Sequence, residues 1–352
     1  MSSLNSKTQQ LINRVSIFLV CWSITLIGNH VFAQDAVFKI RAGGKTSKVA
    51  GKISASSPAG VTINGKQVPA HEIRKVAYAN EPPIVDRARK QMESGRFSDA
   101  IEELKKIKGN VNKSIRREID FINAYSTAQV SLRGGSVTPK AAATTVKNFI
   151  TTYSDSHNLV PAIDQFARLA FAAGLPDVAI GEFKKLQNSG WLEYQLKGYF
   201  HAGDMQLLQG KIEEAKASFS AITAMGGTDD LTQKYKLLAN CHLAKIEGLQ
   251  GNPAGLTKIE QIIKEENSDN KLLFAHLYNC LGAVHEKSGS QKQAASAYLR
   301  TKLLYATETE AHAEAVYRLA KIWPKLSKTD RANADRDLLK SRYRNSYWAS
   351  QL

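Results

Sequence analysis

The sequence predicts a mostly α-helical chain: a solenoid of about seven helical hairpins, preceded by a small antiparallel β unit. Three observations lead there. A ladder of small turn residues runs through the chain at Gly95, Gly135, Gly174, Gly210, Gly251, Gly289 and Ser327, with gaps of 40, 39, 36, 41, 38 and 38 residues. Regular gaps are what a stack of helical hairpins requires. Past most rungs, a small residue at the fifth position (Ala100, Ala179, Ala215, Ala294, Ala332) precedes a large one at the ninth (Leu104, Phe183, Phe219, Tyr298). Small residues let paired helices approach, and large ones fill the space between units. Before residue 80 the pattern changes to short β-branched runs broken by turn dipeptides.

In order, residues 1–33 read as an export signal. Lys7 and Arg14 precede a hydrophobic run from Val15 to Ile27, and Val31-Phe32-Ala33 is a small-residue cleavage pattern that makes Gln34 the first mature residue. The run is short for a membrane span, which needs about 20 apolar residues, so no span is expected after cleavage. Retention as an N-terminal anchor is the alternative. The chain is therefore expected in the periplasm or cell envelope, which makes DNA an unlikely partner.

Residues 34–80 predict the β unit. Val37–Arg41 alternates, Gly43-Gly44 turns, and Val49–Ser56 forms a second extended run with Gly51 as a bulge or close-contact site. Val61-Thr62-Ile63 favours a strand, Asn64-Gly65 a two-residue hairpin turn, Gln67-Val68 the returning strand, and Arg74–Tyr78 a last strand. Strands this short and this closely spaced suggest an SH3-like curl. A unit of this size is marginal alone, so it should dock on the first helices. Residues 81–83, Glu81-Pro82-Pro83, form the linker, 84–345 the helical array and 346–352 a C-terminal tail. Two hairpins break the pattern. Around Gly251, Leu256 replaces the small residue and Glu260 the large one; around Gly135, Pro139 starts a helix after a longer turn.

The stretch Leu272–Tyr305 carries the clearest pattern. Tyr278, Leu281 and His285 share one helical face, Gly282 is small beside Leu281, Gly289 supplies the turn, and Ala294, Tyr298 and Thr301 form the matching stripe. This stretch resembles the tetratricopeptide repeat, with His285 at the second aromatic position and Thr301 at the last Ala. The resemblance extends over roughly 84–345. It implies a right-handed superhelix and a non-enzymatic scaffold that binds a protein or peptide on its concave face. By periodicity the residues facing that groove include Arg89, Asp164, Arg168, Phe200, Asp204, Leu207, Cys241, Lys245, Asn279 and Ala283. The segment from Ala315 to Ala349 looks like the closing part of exported bacterial repeat proteins.

Composition bounds the chemistry. The net charge of +16 includes Lys7 and Arg14, so +14 remains beyond residue 33. Such a surplus favours acidic partners, and an anionic envelope polymer is the alternative ligand. Three cysteines are too few for a disulfide framework. Cys241 and Cys280 read as buried small hydrophobes, with a bridge between stacked helices as the other reading. Gly43-Gly44-Lys45-Thr46 imitates a phosphate-binding loop but has Lys39 where the first glycine belongs, and a strand follows where the motif needs a helix. His285-Glu286 lacks a second His one turn on. Glu102-Glu103, Glu213-Glu214 and Glu265-Glu266 sit near Lys-rich helices and read as solvated faces. Neither a catalytic constellation nor a cofactor or metal motif is expected. Lys105-Lys106-Lys108, Arg116-Arg117 and Arg342-Tyr343-Arg344 stand out as basic clusters, the last reading as a cap on the end of the array.

Overall fold

The computed structural model describes residues 34–40 and 45–352. The export signal with Ala33 and the Gly43-Gly44 turn lie outside the described residues.

Among the described residues, six strands form two antiparallel sheets of three. Strand β1 (Asp35–Ile40) lies between β2 (Thr46–Gly51) and β6 (Ile73–Ala77), and β4 (Gly60–Ile63) between β3 (Ile53–Ser57) and β5 (Lys66–Pro69). The Asn64-Gly65 turn has positive φ at both residues, 52° and 75°, as a tight hairpin with right-handed strand twist demands. Its Ile63↔Lys66 register follows. The run Val49–Ser56, read as one strand, is two: the chain breaks at Lys52 and enters the second sheet. Gly51 is the reason. Asn64 folds over it, donating to Ala50 O at 3.0 Å and accepting from Lys52 N–H at 3.1 Å, and fills the space a Cβ would need. Val37, Val61, Val68 and Val76 then pack with Val85, Ala88, Ile115 and Ile119 in one core, so the unit docks on the first helices.

Fourteen helices make seven hairpins: α1 (Pro83–Glu93) with α2 (Phe97–Lys105), α3 (Lys113–Leu132) with α4 (Pro139–Thr152), α5 (Leu159–Ala172) with α6 (Pro176–Gln187), α7 (Leu192–Leu208) with α8 (Ile212–Ala224), α9 (Asp230–Leu249) with α10 (Pro253–Glu265), α11 (Lys271–Lys287) with α12 (Gln291–Leu304), and α13 (Thr309–Ile322) with α14 (Thr329–Arg342). At each rung the first helix ends on a left-handed residue, which is why glycine recurs. In the second hairpin that residue is Gly134, φ 76°, rather than Gly135.

Both irregular hairpins keep the small–large pair in shifted register. In α10 the buried pair is Gly255 and Ile259 instead of Leu256 and Glu260. A Cβ on Gly255 would lie 2.4 Å from the backbone of α9, at Ala244 O and Gly248 N, so only glycine permits this approach. In α4 the pair is Ala142 and Val146, both buried.

Residues 346–352, set apart in the sequence as a tail, contain a further short helix, α15 (Tyr347–Ser350), started by Ser346 accepting from Ala349 N–H at 3.2 Å. Trp348 is buried with Val316, Leu339 and Tyr343, which caps the last hairpin.

Candidate functional site

The inner faces of the first helices are largely packed together, leaving a cavity of ≈ 220 Å³ whose lining includes Arg168, Phe200, His201, His276 and Glu310. Of the residues assigned to an open groove, Phe200, Leu207, Lys245, Asn279, Asp164, Cys241 and Ala283 are buried; Arg168 and Asp204 keep 20% and 28% of their side-chain surface. This corrects the groove assignment. The cause is α13, whose first turn reaches α5 and which packs on α11. Arg168 pairs with Asp164 at 3.2 Å within α5 and reaches Glu310 on α13 at 2.8 Å. Asn279 donates to Ala311 O at 2.8 Å and to Glu314 at 3.2 Å. Arg89 is not on the axis at all: it makes a bidentate pair with Glu81 at 2.9 and 3.2 Å and anchors the linker.

Burial sets the protonation of this axis. Asp204 is pushed up to about 7, first by desolvation and then by Glu314 and Glu310, with Lys245 pulling the other way. Its Oδ1 lies 3.5 Å from His242 Nδ1, and His242 Nε2 lies 3.2 Å from His276 Nδ1. Desolvation lowers His276 to about 4 and holds His242 and His201 well below the usual range.

The winding also closes the array on itself. Asn345 Nδ2 lies within 3.0 Å of Ser131, Gly135 and Val137 carbonyls, some 210 residues earlier. Arg344 donates to Gly134 O at 2.9 Å, and Tyr347 stacks on Phe171 at 4.4 Å. The C-terminal segment thus caps the last hairpin and clasps the second and third.

A wider cleft, of ≈ 680 Å³, lies where the β unit meets the loops of hairpins one to four. Phe121, Tyr125, Trp191 and Tyr194 line it, with Ile40 and Leu192 on the rim, 46% and 40% exposed. Trp191 and Tyr194 rings lie 4.9 Å apart, and Lys197 sits 4.7 Å over Tyr194. Trp191 Nε1 is buried with no acceptor among the described residues. None of these residues stood out in the sequence. The available signal was Trp191 itself, a large aromatic in a connection between hairpins, where the small–large seam has no use for it.

Among the described residues no group of three or more His, Cys, Asp or Glu could hold a metal ion, and no helix is long and apolar enough to cross a membrane. The helical part has a tetratricopeptide-like repeat fold. Neither a family model nor a curated protein matches the chain. A tetratricopeptide repeat protein from Parabacteroides merdae is similar in structure with a TM-score of 0.51 at 13% identity, over 74% of this chain and 91% of that one. NprR in complex with its cognate peptide NprX gives 0.46 at 14% identity, over 76% and 80%. Rap protein complexed with Competence and Sporulation Factor gives 0.44 at 14%, over 76% and 77%.

Proposed function

We propose that this chain is a non-enzymatic interaction scaffold, exported to the cell envelope, that holds a protein or peptide partner. Export rests on the charged start, hydrophobic run and small-residue cleavage pattern of residues 1–33. The aromatic cleft carries the binding role. Its walls are fixed by the docked β unit and the closed array, so little ordering cost falls on the scaffold side. Half-buried aromatic rings suit an extended segment that brings an apolar side chain into the cleft.

The test is capture from an envelope fraction by the full chain and by Trp191→Ala combined with Tyr194→Ala. Capture of one discrete partner, lost in the double variant while Phe200→Leu on the axis retains it, is the expected result. Equal capture by the double variant removes the cleft from consideration.

A further inference from the structure

A second cavity, of ≈ 340 Å³, opens where β3 meets the first turn of α3, lined by Ser54, Ser56, Lys113, Ser114, Arg117 and Asp155. Its chemistry differs from that of the aromatic cleft. Arg117 is 8% exposed and carries a fixed charge. Its Nη2 donates to the Tyr78 hydroxyl at 3.0 Å. Its Nη1 stays 3.8 Å from Asp155, outside hydrogen-bond length, and its Nε has no partner among the described residues. Nε is sealed from the cavity and Nη2 serves Tyr78, so Nη1 is the nitrogen left for a ligand.

The same cavity receives the start of a 20-residue helix. Asn112 caps it by accepting from Ile115 N–H at 2.8 Å. The N–H groups of Lys113 and Ser114 belong to the first turn and have no acceptor within the helix, and the positive end of the helix dipole points the same way. Ser56 Oγ accepts from His157 N–H and lies 3.2 Å from His157 Nδ1; Ser54 Oγ is 3.5 Å from Thr62 O.

We propose that this cavity binds a phosphodiester group. The lining supplies donors of four kinds: the Arg117 guanidinium, the Lys113 ammonium, the Ser114 hydroxyl and the helix terminus. Such an arrangement suits a tetrahedral oxyanion better than a planar carboxylate, which the arginine fork alone would satisfy. Asp155 offsets one of the two cations in the lining, so a singly charged diester fits better than a dianionic monoester. The volume leaves room for the substituents on both ester oxygens. The Arg116-Arg117 cluster that stood out in the sequence thereby gains a role. This site is separate from the proposed partner cleft and does not depend on it.

The experiment titrates the full chain with glycerophosphoglycerol and reads 31P line broadening and heat, alongside Arg117→Gln, Lys113→Gln and Lys340→Gln. Saturable binding is expected, weakened about tenfold or more by Arg117→Gln and severalfold by Lys113→Gln, and unchanged by Lys340→Gln. Lys113 is exposed, so its variant carries the test if Arg117→Gln does not fold. Phosphatidylglycerol vesicles form a parallel arm: binding there that needs Lys113 identifies a lipid headgroup as the source, and binding to the soluble diester alone identifies a free or polymeric one. No saturable diester binding in either arm, or equal weakening by Lys340→Gln, overturns the proposal.

Discussion

The seams within the hairpins and the axis the hairpins enclose are built from opposite materials. At the α11–α12 seam Tyr298 is fully buried against Gly282, where a Cβ would lie 2.7 Å from its ring. The axis instead holds Asp204, Lys245, Glu314, His201, His242 and His276. Between them in character is the last seam, α13–α14. Ala332 keeps the small position, but Arg336 stands where the large apolar residue belongs. Asp335, 1% exposed, closes it instead, accepting from Trp323 Nε1 at 2.8 Å and pairing with Lys302. An internal hairpin has a neighbour on each flank and uses a non-directional apolar wedge. The last hairpin has one flank only. A directional polar knot there fixes the short 3₁₀ turn Trp323–Leu326 and aims the following chain back toward hairpins two and three.

The largest effect should fall on an internal seam. Tyr298→Ala opens a cavity that Gly282 cannot fill, and about 3–5 kcal/mol of stability should be lost. Urea denaturation followed by circular dichroism measures it. A loss under about 1 kcal/mol would mean that the seam is not where the array is held.

Asp335→Ala probes the polar knot. It strands a buried indole N–H and leaves Lys302 unpaired, so about 2–3 kcal/mol should go. The specific signature is positional. Hydrogen exchange should quicken in α13 and α14 and at the Ser131–Val137 carbonyl turn that Asn345 clasps, while α11–α12 stays protected. Uniform loosening of all seven hairpins would erase the distinction between the last seam and the rest.

This difference explains what the sequence could reveal. Left-handed turn ends demand glycine, so the rungs were legible, and so was the hairpin number. The small–large pair was legible where the turn had standard length. In α10 it moved one residue earlier, to Gly255 and Ile259, and Leu256 was misread as its failure. Inner-face residues such as Asp204, Lys245 and Asn279 were legible as facing the axis, because helical periodicity fixes direction. How closely those faces pack was not. Winding depends on the packing angle at every seam and on connection lengths, and no single residue encodes it. The aromatic cleft draws on the β unit and several helices and loops, so nothing local marks it either.

The axis offers the subtlest test, through pH. An unfolded histidine takes up a proton near pH 6.5, whereas His276 in the folded chain waits until about 4. Acidification across that window therefore favours unfolding, by up to about 1.4 kcal/mol per pH unit for each such ring. His201 and His242 act in the same direction. Asp204 opposes them: its folded value near 7 lies above the ordinary 3.8, so its contribution is complete below about pH 4 and disappears as pH rises through 7. Three rings outnumber one carboxyl, and stability should fall from pH 6.5 toward 4. His276→Gln should lessen that slope by about one proton, read from urea midpoints across the range, while Tyr298→Ala lowers stability at every pH without changing it. An unaltered slope in His276→Gln would mean that water hydrates the ring in the folded chain, and the opposition between dry seams and a desolvated polar interior would fail at its centre.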